Sequence, residues 1–276
     1  MSNFPDPDFW RNLLTSKKKE TPRREFTQEC WDRAAETYDD LENEPDYAKQ
    51  VERVTEKMTA RGIFGAHRTL IDIACGTGTY GLIFAGRVKR VIGIDISNSM
   101  LERFREKARA RGIENLEIIH ADWHSLDLSN KYDIVFSSMN PLLGDYKNID
   151  RMLDISRRYL VLVGWAGIRR NMFLERIGKK ILGHALRAPK SDITVVFCYL
   201  YSLGYSPEIE YFTGTWRRTY ELERQLERIV WRLEFERDLT PDEKAMVRKE
   251  LKKISENGHV TLETRIRTGM ILLDKG

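Results

Sequence analysis

The stretch Thr69-Leu-Ile-Asp-Ile-Ala-Cys-Gly-Thr-Gly-Thr-Tyr-Gly81 decides the architecture. Its first six residues form an apolar run interrupted only by Asp72. Glycines at 76, 78 and 81 then break the run before Leu82, Ile83 and Phe84 resume it. That order predicts a strand, a tight turn and a helix. The spacing fits Gly-x-Gly-x-x-Gly, in which glycines let backbone N–H groups approach a ligand at a helix N-terminus. Arg90-Val-Ile-Gly-Ile-Asp95 reads as a second strand, ending in an acid 95 − 76 = 19 residues beyond the first glycine. A carboxylate there accepts hydrogen bonds from ribose hydroxyls, so a ribose-bearing cofactor is implied, but not which one.

Working outward, Ser97 or Ser99 is expected to cap a helix carrying Leu101, Phe104 and Ala108, with Ser99 and Glu102 in capping-box spacing and Gly112 as its stop. Residues 116–121, 132–137 and 159–165 read as further strands, with a helical stretch near 150–157. Alternating strands and helices predict a doubly wound, mostly parallel α/β sheet. Before the first strand, Trp31, Ala34, Ala35, Tyr38 and Leu41 and then Val51, Val54 and Met58 recur at helical spacing, giving an N-terminal helical lid over 1–66. After it, a helix is expected over 191–203, an extended segment over 208–220, two helices, and an alternating strand over 260–272. The second of those helices opens with Thr240-Pro-Asp-Glu243, a capping box with proline in its first turn. The domain proper is therefore read as 67–276, with a helical insertion over 221–258 between its last two strands.

Asp72 separates the possible cofactors. It stands inside the first strand, four residues before Gly76, where a pyrophosphate would be repelled and an ammonium group favoured. Leu70-Ile-Asp-Ile-Ala-Cys-Gly-Thr-Gly78 resembles the first motif of the class I S-adenosylmethionine-dependent methyltransferases. Asp95-Ile-Ser-Asn-Ser-Met100 is similar to that family's second motif, Ala121-Asp-Trp123 to its third, and Tyr132-Asp-Ile-Val-Phe-Ser-Ser-Met-Asn-Pro141 to its fourth. Trp31, Asp32, Ala35, Tyr38 and Asp39 resemble the N-terminal segment that closes over the cofactor. The resemblance spans residues 31–165. It implies a Rossmann-like sheet of seven strands with the last one reversed, and S-adenosylmethionine as cofactor.

The same resemblance implies cofactor binding by Asp72, Ala74, Gly76, Gly78, Asp95, Ile96, Met100, Asp122, Trp123 and Ser138. Asp95 would hold the ribose, Ile96 and Met100 would line the adenine, Asp122 would read its amino group, and Trp123 would stack or offer its N–H. For the acceptor the candidates are Tyr38, Asn140, Tyr146, Trp216 and Arg217. Asn140-Pro141 resembles the start of an amino-group methyltransferase motif, but Leu142 and Leu143 replace the expected proline and aromatic residue. No catalytic residue is assigned. Tyr38, His124 and Tyr146 are the possible bases, and no Ser/His/Asp or Cys/His arrangement has supporting context. His120, Asp122 and His124 alternate as metal ligands might, yet Asp122 already has a role and a fourth ligand is missing, so no metal is expected.

Composition narrows the class. The 276 residues are 41% hydrophobic and 32% charged, with 46 Lys+Arg against 42 Asp+Glu, as in an ordinary globular protein. No apolar stretch reaches the roughly 18 residues of a membrane span, and the N-terminus lacks a secretory pattern, so a cytoplasmic protein without membrane association is expected. Three widely spaced cysteines argue for reduced thiols. Basic residues concentrate at Lys17, Lys18, Lys19, Arg23 and Arg24 and again over 169–190, where seven Lys or Arg face Glu175 alone. A solvated helix face explains either cluster as readily as a binding patch. The expected activity is direct methyl transfer to a small, anionic acceptor. The alternatives are an RNA or protein methyltransferase, an NAD-dependent oxidoreductase, and a non-catalytic cofactor-binding protein. Nucleic acid is disfavoured because neither an appended RNA-binding module nor an arginine-rich tail is present.

Overall fold

The computed structural model describes residues 4–16, 27–127, 129–184, 186 and 192–276. Three helices come first: α1 (Pro7–Ser16), α2 (Gln28–Tyr38) and α3 (Pro45–Ala60). Strands and helices then alternate through β1 (Gly65–Ile73), α4 (Thr79–Ala85), β2 (Val88–Asp95), α5 (Asn98–Ala110), β3 (Leu116–His120), β4 (Tyr132–Ser138), α6 (Tyr146–Ile155) and β5 (Ser156–Arg170). The remainder is α7 (Met172–Leu182), α8 (Ile193–Ser202), β6 (Glu208–Glu221), α9 (Leu222–Glu234), α10 (Pro241–Lys252) and β7 (His259–Asp274).

One seven-stranded sheet has the order β3-β2-β1-β4-β5-β7-β6, with β7 antiparallel to both neighbours. This is the expected doubly wound sheet with a reversed last strand. Both faces are covered, so its parallel strands are apolar almost throughout. Ile71, Ile73, Val135, Leu160 and Leu162 pack on one side, and Leu70, Val91, Phe136, Val161 and Val163 on the other. The chain leaves β1 toward β2 and returns across to β4, so the carboxyl ends of β1 and β4 flank the topological switch point, where open α/β sheets bind ligands.

The departure from a plain doubly wound sheet lies at the other side of that edge. Strands β5, β6 and β7 run 15, 14 and 16 residues, against 5 to 9 in the other four. They therefore overhang the sheet. Phe173 and Ile177 of α7, Ile229 and Leu233 of α9, and Val247 and Leu251 of α10 pack with Val260 and Leu262 into a separate apolar cluster on this overhang.

Several local expectations change. Strand β1 starts at Gly65, with an irregularity before Thr69, and β5 extends five residues past Trp165. Helix α1 falls within the helical segment expected over 1–66 and α7 within the basic stretch read as a helix face, neither having been given bounds. The Ser99–Glu102 capping box does not form, because Ser97 takes the cap position and accepts from Met100 N at 3.2 Å. The Thr240–Glu243 box forms as expected. Lys17, Lys18, Lys19, Arg23, Arg24, Lys190 and Ser191 lie outside the described residues.

Candidate active site

The glycine turn joins β1 to α4 with Gly76 at φ +55° and Gly78 at φ +83°. At Gly78 the requirement is double: the backbone is left-handed, and a Cβ would stand 2.0 Å from Cδ2 of Phe104, a fully buried ring of α5. A Cβ at Gly81 would meet the same ring at 2.7 Å. The glycines thus let α4 and α5 close on the turn. Ala74 and Met139 also adopt positive φ, at 57° and 55°. They follow the ends of β1 and β4, so backbone strain gathers at the switch point.

Two buried carboxylates face this turn. Asp95 ends β2, and its Oδ2 accepts from Gly76 N at 2.8 Å while Oδ1 accepts from Ser97 N at 2.9 Å. Burial raises its pKa, with those backbone donors pulling the other way. Asp72 is only 2% exposed and receives no hydrogen bond among the described residues. Burial, and then the charge of Asp95, push its pKa well above the usual carboxylate range. The pair is an electronegative pocket without its own cation. Asp122 follows the end of β3, exposed, with Oδ1 accepting from His124 N at 2.9 Å and lying 3.0 Å from His124 Nδ1. His120 Nε2 bonds Ile96 O at 2.9 Å, so His120 and His124 are held apart by different partners. Among the described residues no group of His, Cys, Asp and Glu side chains converges as a metal site would.

Trp123 departs from expectation. Its indole is 4% exposed, donates to Asn148 Oδ1 at 3.2 Å and lies under Arg151, so the ring belongs to the core and offers neither a stacking face nor its N–H to a ligand. Ile96 and Ser138 are half-buried near the two strand ends, and Met100 is buried in α5.

Helix α2 lies across this pocket. Asp32 Oδ1 accepts from Ser97 Oγ at 2.5 Å and from Ser99 N at 3.1 Å, tying α2 to the start of α5. Lys107 Nζ bridges Asp39 at 2.9 Å and Glu42 at 3.0 Å, and Thr79 Oγ1 donates to Glu42 at 2.7 Å. Tyr38 then covers the turn, with its Cε1 3.7 Å from where a Gly76 Cβ would sit. Burial, followed by the charge of Asp95, pushes the Tyr38 phenol up to about 12, against the pull of Arg218 and Arg169. Its ring therefore stands between an acidic side and a basic one.

The basic side is a cavity of about 1010 Å³ under the overhang. Tyr38, Met139, Trp165 and Trp216 line it together with Arg169, Arg218, Arg228 and Arg232. Trp165 and Trp216 meet edge to face at 5.5 Å. Of the acceptor candidates, Tyr38 and Trp216 are in this lining. Asn140 is not: its amide donates to Ser137 Oγ at 2.7 Å and its carbonyl accepts from Leu142 N at 3.0 Å, so it shapes the turn after β4. Tyr146 packs against Tyr199 and Arg11 on the far side of the sheet. Arg217 alternates outward from Trp216 and Arg218 and pairs with Glu263 at 2.7 Å. Sequence reasoning missed that Asp32 ties α2 to α5, and missed the arginines of α9. The second signal was available, since Arg224, Arg228 and Arg232 recur every four residues on one helical face.

Fold and turn together define the class. Residues 70–162 match the family described as "Methyltransferase domain", and in this match and in its sheet order the chain is similar to the class I, Rossmann-like S-adenosylmethionine-dependent methyltransferases. The chain is 32% identical over 117 residues to a demethylmenaquinone methyltransferase of Symbiobacterium thermophilum, covering 41% of this chain and 43% of that protein. It is 39% identical over 67 residues to an uncharacterized RNA methyltransferase of Listeria monocytogenes, covering 24% of this chain and 15% of the other. The chain thus spans less than half the length of either relative. In structure it is similar to a putative methyltransferase from Bacillus halodurans, with TM-score 0.53, 16% identity, and coverage of 80% of this chain and 97% of that one. It is also similar to coclaurine N-methyltransferase bound to N-methylheliamine and SAH, with TM-score 0.53, 14% identity, and coverage of 96% and 87%. At these identities the structural likenesses establish the fold.

The residues present fit the cofactor of that class. An undonated buried Asp72 calls for a cation or hydroxyl donors, and S-adenosylmethionine carries an ammonium and two ribose hydroxyls. Among the described residues no helix is long and apolar enough to cross a membrane.

Proposed function

We propose that this protein transfers a methyl group from S-adenosylmethionine to a small acceptor held in the cavity beneath α2 and α9. The observation that carries the proposal is the junction at Tyr38. This side chain covers the Gly76 turn, senses Asp95, and lines the cavity that opens between β5, β6 and α9. Bound there, the cofactor would supply an electrophilic methyl on a sulfonium, open to direct displacement by an oriented nucleophile.

The chain's own residues bind, orient and exclude water. Asp95, fixed by two backbone N–H donors, is the ribose acceptor. Asp72 takes the ammonium end, directly or through water, and the free Oδ2 of Asp122 is placed to accept from the adenine amine. Gly76, Gly78 and Ala74 give the close backbone approach, while Ile96, Met100 and Ser138 border the pocket. Tyr38 closes it. A phenol held near 12 is protonated at neutral pH, so Tyr38 positions the acceptor and does not deprotonate it.

A small acceptor is favoured over RNA or protein because α2, α7 and α9 all line the cavity, and its volume is at the upper end of the about 300–1,000 Å³ usual for small-molecule sites. Calorimetry of the full chain with S-adenosylmethionine tests the cofactor, and Asp95→Ala should weaken binding by about 1.5–3 kcal/mol through lost charge-assisted hydrogen bonds. Incubation with labelled cofactor and a fractionated small-molecule extract then tests the acceptor class. Label appearing in RNA or protein fractions alone would refute the small-molecule reading.

A further inference from the structure

The cavity's arginines are poorly matched by acids. Of those lining it, Arg170 is taken by Glu175 in a two-pronged pair at 3.0 and 2.9 Å, and Arg224 by Asp40 at 3.2 Å. Arg169, Arg218 and Arg228 have no carboxylate within ion-pair distance among the described residues, although Glu36 and Glu227 also line the space. What holds them is aromatic. The Arg169 guanidinium lies 4.6 Å from the Trp165 ring centre, that of Arg218 5.6 Å from Trp216, and that of Arg228 4.4 Å from Tyr220. Among the described residues, only Arg228 of the three spends a donor on the protein, to Tyr220 Oη at 3.0 Å.

Stacking fixes a guanidinium plane while leaving its N–H fork free, the state suited to two-pronged recognition of carboxylate or phosphate. The three also act on one another. Burial first, then neighbouring Arg232 and Arg218, lower the pKa of Arg169 to about 9, and burial and Arg218 lower that of Arg228. Arg169 remains accessible to water inside the cavity while crowded by protein. Like charges gathered in an aromatic chamber without a directly paired carboxylate among the described residues are costly to the folded chain. Such a group is expected where a ligand brings the missing charge.

We propose that Arg169, Arg218 and Arg228 recognise a planar, conjugated acceptor bearing at least two carboxylate or phosphate groups, with its body against Trp165 and Trp216. This assignment rests on the methyl-transfer reading only for the word acceptor; the anion site itself stands on the arginines and their rings.

The test is calorimetry on the full chain, with and without S-adenosylhomocysteine, using benzoate, benzene-1,3,5-tricarboxylate, its triamide, the aliphatic propane-1,2,3-tricarboxylate, and pyrophosphate. The aromatic tricarboxylate should bind at least tenfold tighter than benzoate and tighter than the aliphatic one, and the triamide should not bind. Arg218→Gln should lose at least tenfold and Arg218→Lys less, while Arg217→Gln, whose side chain pairs outward with Glu263, should lose nothing. Unchanged cofactor affinity in Arg218→Gln shows that the variant is folded. If pyrophosphate binds more tightly than the tricarboxylate, the acceptor's anions are phosphates; if the tricarboxylate wins, they are carboxylates. Equal binding of acid and triamide, or equal losses in Arg217→Gln and Arg218→Gln, would overturn the proposal. Anion binding without S-adenosylhomocysteine binding would sink the methyl-transfer reading and spare the anion site, and the reverse outcome would do the opposite.

Discussion

Gly78→Ala puts the turn's geometry to a quantitative test. The substitution forces an L-residue to φ +83°, which costs about 1–2 kcal/mol. It also sets a methyl 2.0 Å from Cδ2 and 2.2 Å from Cε2 of Phe104. That ring is fully buried and is already limited by Gly81 and Gly93, where a Cβ would stand 2.7 and 2.8 Å from it. It has nowhere to retreat, so the overlap adds the about 1–3 kcal/mol typical of an overpacked core. Gly78→Ala should therefore lose about 2–5 kcal/mol in equilibrium urea unfolding. Phe104→Ala alone should lose about 3–5 kcal/mol. The double variant no longer has the clash, and its loss should fall short of the sum by about 1–3 kcal/mol, the overlap component. Additivity within about 0.5 kcal/mol would refute the packing argument and leave only the backbone strain.

Asp72→Asn should raise the thermal midpoint of the ligand-free protein at pH 7 while weakening cofactor binding. Burial and Asp95 hold the folded-state pKa of Asp72 above 3.8, so the folded chain binds the extra proton and stability declines as pH rises from that value through the raised pKa. The gain, at about 2–4 °C per kcal/mol for a chain of this size, should vanish near pH 4, and an equal gain at pH 4 would contradict the assignment. Asp32→Ala removes the bonds to Ser97 and Ser99 and should weaken the docking of α2 by about 1–3 kcal/mol. Hydrogen exchange should rise in α2 but not in α3, and unchanged exchange in α2 would count against the anchor. Tyr38→Phe should leave the pH profile of kcat between 6 and 9 unaltered, because a phenol near 12 holds its proton across that range; loss of a basic limb would restore Tyr38 as a base.

What was legible in the sequence was set by local chemistry. Asp72, Gly76, Gly78 and Asp95 lie on one strand-turn-helix unit and the strand beside it, so their spacing alone places them together. The long alternation of 260–272 likewise marked a strand, though not that it pairs on both edges, with β5 and β6. Residues whose neighbours are distant in sequence were not readable. Trp123 follows the third motif's acid, yet Asn148 and Arg151, some 25 residues on, draw its indole into the core. Asn140 is a different case: Ser137 and Leu142, which consume its amide, lie only three and two residues away, so a turn role was legible locally. The charges of 169–190 concealed α7, whose Phe173, Ile177 and Ile181 recur every four residues beneath them. Arg217 and Arg218 could be told apart only by the register of β6 against β7, which turns one outward to Glu263 and the other inward.

That register bears on how the two halves of the site coexist. Asp72 and Asp95 are acids without a cation, and Arg169, Arg218 and Arg228 are cations without an acid, yet these groups do not neutralise each other. Tyr38 stands between them. Its ring covers Gly76 on the acidic side and lines the arginine cavity on the other, feeling Asp95 and Arg218 with opposite sign. Tyr38 sits in the segment that Asp32 ties to α5. If both ligands favour this docked α2, each should tighten binding of the other by the same factor, which calorimetry with and without the second ligand checks.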